Sequence, residues 1–268
     1  EHPELLELII YQTPAGNLPV IIVRDRNDFV TLVQALSRRN EPKPIPHAMG
    51  ACMITGYNNW DRIRQYKKAW EQKNIGSSQA DWRTEFQTLV ARKELYQDRF
   101  MILSDGPYSG VKGAELQLSE HAWRRLSLII RREHESVHYF TQRVLGSMRN
   151  NMIDELIADY IGITSAIGEY KAAWFLRFVG LENFPICRAD GRIHRYRDAL
   201  SDGAFVILQK LIVEAACHLE KWNRRFQNKP HTAKEKAHII QTLAQFTLEE
   251  LASAEGFARL VSASRKKD

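Results

Sequence analysis

The stretch that most constrains this chain is Arg131-Arg132-Glu133-His134-Glu135-Ser136-Val137-His138, a His-Glu-x-x-His pattern inside a strongly helical window. Ser119 can cap the helix, and Trp123, Leu126, Ile130, Val137 and Thr141 recur on one side of it. Residues four apart on a helix lie about 40° apart around the axis, so both imidazoles project from one face. Two ligands of one tetrahedral metal require that geometry, and neutral imidazole is a good zinc ligand. Glu135 sits beside them but rotated off the ligand axis, where a carboxylate reaches a metal-bound water rather than the metal. Zinc lowers the pKa of such a water to about 7, and the carboxylate takes its proton as it attacks a carbonyl. The bland alternative is a polar helix face whose histidines only hydrogen-bond to their neighbours.

A third ligand is offered by the next helix, expected over 151–166, in Asp154-Glu155-Leu156-Ile157-Ala158-Asp159. Glu155 and Asp159 share a face, and Ala158 beside them allows close helix approach. A chain reversal at Gly146-Ser147 would make the two helices antiparallel, presenting His134, His138 and Glu155 to one ion. Three protein ligands leave a fourth position for water, the mark of a catalytic rather than a structural zinc site. Asp159, one turn on, can accept the outer N–H of a ligating histidine and hold its tautomer. Here too a bland alternative exists, a solvated acidic face backed by Leu156, Ile157 and Ile161.

His134-Glu135-x-x-His138 followed by Glu155-x-x-Ala158-Asp159 resembles the gluzincin metallopeptidases. The E-x-x-A-D form is similar to the branch that contains the prenyl-protein and heat-shock membrane proteases. The resemblance implies a zincin-like fold in which His134, His138 and Glu155 bind Zn2+, Glu135 is the general base and Asp159 supports the ligands. That branch carries transmembrane helices, whereas no apolar run here approaches the roughly 18–20 residues of a membrane span. Zincins bind substrate as a strand added to a sheet edge just before the active-site helix. The segment 108–116, with Gly110, Val111 and Gly113, occupies that place in the order. A donor to the developing oxyanion is commonly a downstream Tyr, His or Arg, and the run Arg192-Ile193-His194-Arg195-Tyr196-Arg197 offers all three. Tyr196 and His194 are the preferred candidates.

Around this motif the expected class is α+β. A small N-terminal mixed sheet (about 1–118) leads into a predominantly helical half with the metal site (about 119–268), as a single zincin-like domain. Leu18–Val23, Ala51–Thr55 and Phe100–Leu103 read as strands. Helices are expected from Asn27 or Asp28 to Leu36, through Trp60 to Trp70, and over Trp82–Leu95. Trp60, Tyr66, Trp70 and Trp82 read as core packing. The prolines of 38–47 make that stretch a loop.

With 268 residues, 44% of them hydrophobic and 26% charged, the chain is neither disordered nor dependent on disulfide staples. Its three cysteines form no C-x-x-C pair, which argues against a redox motif or cysteine zinc knuckle and favours a reducing, cytoplasmic home. Glu1 stands first rather than a methionine, which leaves room for a removed leader. The net charge of +6, with Arg124, Arg125, Arg131 and Arg132 recurring along the metal helix, is compatible with nucleic acid but does not favour it. The expected activity is therefore that of a zinc metallopeptidase, most simply an endopeptidase, acting on a peptide or protein. The alternatives are a zinc hydrolase of a non-peptide amide or ester, and a regulatory or nucleic-acid-associated protein with a restricted or inactive site.

Overall fold

Two apolar strands organise the first half of the chain in the computed structural model, which describes residues 2–146, 151–226 and 232–265. β1 (Leu6–Thr13) and β2 (Gly16–Val23) form a hairpin; α1 (Arg26–Ser37), β3 (Ala51–Asn58), α2 (Trp60–Lys73), α3 (Gln79–Ala91) and β4 (Gln97–Ser104) follow. The four strands lie in the order β1-β2-β4-β3, with β2 and β4 parallel and both outer pairs antiparallel. Where the central strands pair, over Val20–Val23 and Met101–Ser104, they are nearly all apolar because both faces are covered. Val20, Ile22, Met101 and Leu103 form one packed cluster with Tyr139, while Val23 and Ile102 pack with Phe29 and Val33 of α1 on the opposite face.

β1 was not expected as a strand. Its apolar side chains misdirect: Leu8 and Ile10 are 68% and 65% exposed, so their alternation marks the solvent face rather than the core. Helix α1 starts one turn earlier than expected, because Asp25 is its N-cap and accepts from the amides of Asn27 and Asp28. Tyr66 and Trp82 pack as expected in a small cluster with Ile63, Phe86, Leu89 and Tyr96, and Trp70 meets the Trp82 ring at 5.7 Å, but Trp60, at the first position of α2, is 59% exposed.

The second half is helical, as the sequence predicts. It comprises α4 (Glu120–Val144), α5 (Asn151–Ile167), α6 (Ala172–Val179), α7 (Asp202–Phe226), α8 (Ala233–Leu243), α9 (Leu248–Ala252) and α10 (Gly256–Arg265). Ser119 caps α4 by accepting from the Ala122 amide. One residue of the expected reversal, Ser147, lies outside the described residues. Among the described residues, no helix is long and apolar enough to cross a membrane.

The α4–α5 contact fixes everything that follows. His138 meets Asp154 and Glu155, His134 meets Asp159, and Ile130 meets Gly162, so the partners run in opposite directions along two antiparallel helices. Ala158 is fully buried, as its expected role requires. A close approach lies one turn on, where a Cβ on Gly162 would stand 2.9 Å from the Ile130 carbonyl oxygen. Gly162→Ala is therefore expected to lower stability by about 1–3 kcal/mol through overpacking. That loss outweighs the roughly 1 kcal/mol by which alanine is the better helix former. A denaturation midpoint at or above that of the wild type would show that the helices separate freely.

Candidate metal centre

Helix α4 carries the first two donors at one level of the bundle and α5 carries the third. The Nε2 atoms of His134 and His138 are 2.9 Å apart. Glu155 closes the group, with Oε2 3.5 Å from His134 Nε2 and Oε1 3.5 Å from His138 Nε2. The donor atoms of these three residues lie within 4.8 Å of one another, close enough to hold one metal ion.

The outer nitrogens are equally well determined. His134 Nδ1 donates to Asp159 Oδ1 at 2.8 Å, and His138 Nδ1 donates to Asp154 Oδ2 at 2.8 Å. With both Nδ1 atoms held by carboxylates, both Nε2 atoms face Glu155, the arrangement in which a metal ion could take the place of a proton. Asp159 thus takes the place the sequence predicts. Asp154, in the sequence only an acidic neighbour, proves to be the corresponding anchor of the second histidine.

Asp159 is fully buried and is itself held from two sides. The Tyr108 hydroxyl donates to its Oδ1 at 2.5 Å, and the Arg192 guanidinium makes an ion pair with its Oδ2. Burial would raise the Asp159 pKa, but Arg192 and His134 outweigh it and keep the carboxylate ionised below its ordinary range. Burial and the adjacent Asp159 raise the Tyr108 phenol well above its ordinary value, so it remains a donor. Burial likewise opposes charge on Glu155 and on His138. For Glu155 the two imidazoles and Arg192 prevail; for His138, Asp154 and Glu155 prevail and favour its charged form. The donor set therefore attracts positive charge and fits a divalent cation.

A cavity of about 350 Å3 opens over these groups, lined by Glu135, His134, His138, Glu155, Tyr196 and the start of β3. Glu135 is half-buried in its wall, and its carboxylate takes no hydrogen bond from another described residue. Arg131 underlies the cavity. Fully enclosed, it donates to the carbonyls of Gly106 and Pro107 at 3.0 and 3.2 Å and also to that of Ser104, and burial pushes its pKa down to about 10.

The structure brings together His134, Glu135, His138, Glu155, Asp159 and Tyr196, and it separates the rest. Tyr196 lines the cavity, and burial together with Glu155 raises its pKa, leaving the phenol protonated. His194, the other oxyanion candidate, points away: its Nε2 lies 3.1 Å from the Arg188 carbonyl and 3.5 Å from Cys187 Sγ, outside the cavity lining. The irregular turn over Arg192–Tyr196 puts Arg192 and Tyr196 inward and leaves His194 exposed.

The expected substrate strand is not a strand. Residues Tyr108–Gly110 and Gly113–Leu116 form 3-10 turns, and Val111 is fully buried, its carbonyl accepting from the Trp123 indole at 2.6 Å. Gly113 is also buried, wedged against Trp123 and the Leu118 carbonyl. Gly110 and its neighbours cannot offer a continuous row of free backbone groups, and Tyr108 serves the ligand shell instead. The sheet edge beside the cavity is β3, whose first residue, Ala51, lines it.

The expected basic stripe is dispersed as well. Arg131 is buried, Arg124 pairs with Asp105 at 2.8 Å, and Arg132 stacks over the Tyr11 ring at 4.2 Å. Arg125 is exposed, as is the Arg124 side chain beyond its pairing with Asp105.

Over residues 1–255 the sequence matches a family described as of unknown function (DUF7005). No curated protein and no solved structure matches the chain.

Proposed function

We propose that the chain, which belongs to this DUF7005 family, is a zinc-dependent metallopeptidase of zincin type. The observation that carries the reading is the convergence of His134 Nε2, His138 Nε2 and the Glu155 carboxylate, with each histidine's outer nitrogen on a carboxylate and Glu135 in the same cavity. Imidazole and carboxylate donors suit zinc, which would supply Lewis acidity to polarise a carbonyl and to lower the pKa of water.

The chain's own groups would do the rest. Glu135 takes a proton from the attacking water and hands it to the leaving amine, so one carboxylate serves as base and then as acid. Tyr196, protonated and aimed into the cavity, donates to the oxyanion that develops on the substrate carbonyl. Tyr108, Asp159 and Arg192 hold the His134 ring in one tautomer and one orientation. The substrate backbone lies along the outer edge of β3, where register comes from main-chain hydrogen bonds.

Elemental mass spectrometry of purified protein tests the metal. The expected result is about one zinc per chain, lost in His134→Ala, with a higher unfolding temperature in the zinc-loaded wild type alone. A folded protein that takes up no metal after zinc addition would refute the reading.

A further inference from the structure

We propose that the substrate cleft continues across Gly50 into a second, basic pocket that takes an oxyanion of the substrate, so that the preferred peptides are acidic. The inference rests on reading the metal-centre cavity as a peptide site.

A cavity of about 430 Å3 lies beside the first, and Met49, Gly50 and Arg131 line both. The common wall is kept low by Gly50, where a Cβ would fall 2.4 Å from Arg131 Nε. A side chain there would have to displace a guanidinium that is already fixed by three carbonyls. A peptide running beside β3 reaches this wall at the strand's first residue, Ala51, and at Gly50 just before it, and beyond it enters the second pocket.

The chemistry of that pocket is lopsided. Its lining holds the guanidiniums of Arg24, Arg26, Arg124 and Arg131 against two carboxylates, Asp105 and Glu120. Neutral carbonyls satisfy Arg26, which donates to Met49 and Pro46 at 2.6 and 2.8 Å, and the same is true of Arg131. Carbonyls fill donor sites without cancelling charge. Asp105 is shared between Arg124 at 2.8 Å and Arg24 at 4.0 Å, although Arg24 also reaches Glu7 at 3.0 Å. Glu120 accepts from the Gly113 amide at 3.1 Å. His47, exposed at the mouth, makes no hydrogen bond or ion pair with another described residue. A substrate carboxylate or phosphate reaching the solvent-facing sides of Arg24 and Arg124, away from the Asp105 oxygen they share, would gain charge-assisted hydrogen bonds from two half-exposed guanidiniums.

The test uses fluorescein-labelled, alanine-based peptides carrying glutamate, phosphoserine or glutamine at alternate positions. Anisotropy titrations at low ionic strength would use full-length Glu135→Gln protein loaded with zinc. Glutamate peptides are expected to bind about ten-fold tighter than glutamine peptides. In an Arg24→Gln/Arg124→Gln background, checked for an unchanged melting curve, that preference should vanish while glutamine peptides bind as before. Tighter binding of phosphoserine than of glutamate would identify phosphate as the source of the oxyanion. Equal binding of glutamate and glutamine, or a preference that survives the double substitution, would overturn the proposal. Acidic preference without cleavage by the zinc-loaded wild type would instead refute the hydrolase reading and leave the pocket standing.

Discussion

Glu135→Gln is expected to reduce turnover of unfolded protein substrates by about 10²–10⁴-fold, the usual contribution of a positioned general base. The metal should stay in place. Glutamine has the same shape as glutamate but cannot carry a proton from water to the leaving amine. Zinc retention is expected because the converging donors belong to His134, His138 and Glu155, and Glu135 is not among them. The fold should be indifferent too, since the Glu135 carboxylate receives no hydrogen bond from another described residue. Paired measurements of activity and zinc content therefore give a sharp outcome. Wild-type turnover in the variant would move the base elsewhere. Loss of zinc together with activity would make Glu135 a ligand and break the proposed division of labour.

How much of this centre was legible in the sequence follows from the range of each interaction. His134, Glu135 and His138 are set by the periodicity of one helix, and Glu155 and Asp159 by that of the next, so spacing alone arranges them on faces. The antiparallel packing of the two helices was readable from the expected reversal at Gly146-Ser147 and the small Ala158 beside the acidic face, whereas the close approach at Gly162 was not foreseen. Tyr108 and Arg192 were not legible as partners of Asp159. They come from positions 51 and 33 residues away in the chain, and no local pattern pairs them. One signal was available: a carboxylate set among Leu156, Ile157 and Ile161 needs a cation when buried, and the arginine-rich run downstream was one supply. The substrate edge was misplaced for a different reason. Order along the chain says which segment precedes the helix, whereas strand pairing decides which segment is left at the edge, and pairing put β4 inside and β3 outside. The arginine repeat is similar in kind: a seven-residue repeat describes a helix face without saying what packs on it, and here Arg131 is buried while Arg124 pairs with Asp105.

Asp159 also carries the largest expected effect on stability. It is fully buried, and the Arg192 side chain paired with it is 13% exposed. Asp159→Ala leaves that guanidinium enclosed, with Glu155 at 3.8 Å as its remaining ion-pair partner, and takes away the carboxylate to which the Tyr108 hydroxyl donates. Breaking a buried pair from one side costs about 3–5 kcal/mol, which should appear as a large drop in the urea midpoint. The same substitution releases His134 Nδ1, and loss of such an anchor weakens metal binding about 10–100-fold. The two losses have different origins and can be separated. Adding Arg192→Met to Asp159→Ala removes the stranded charge, so the double variant should regain most of its stability. It should not regain metal affinity, because His134 Nδ1 is left with the neutral Tyr108 hydroxyl at 2.9 Å in place of a carboxylate acceptor. Stability that stays low in the double variant would show that Asp159 supports the core by packing alone. Metal affinity that is unchanged in either variant would show that the His134 ring is held without it. The pH dependence follows the same logic. A carboxylate held below its ordinary pKa contributes fully above that ordinary value and loses its contribution as pH falls through its own lower one. Wild-type stability should thus decline in acid more steeply than that of the double variant, and parallel curves would count against the ion pair.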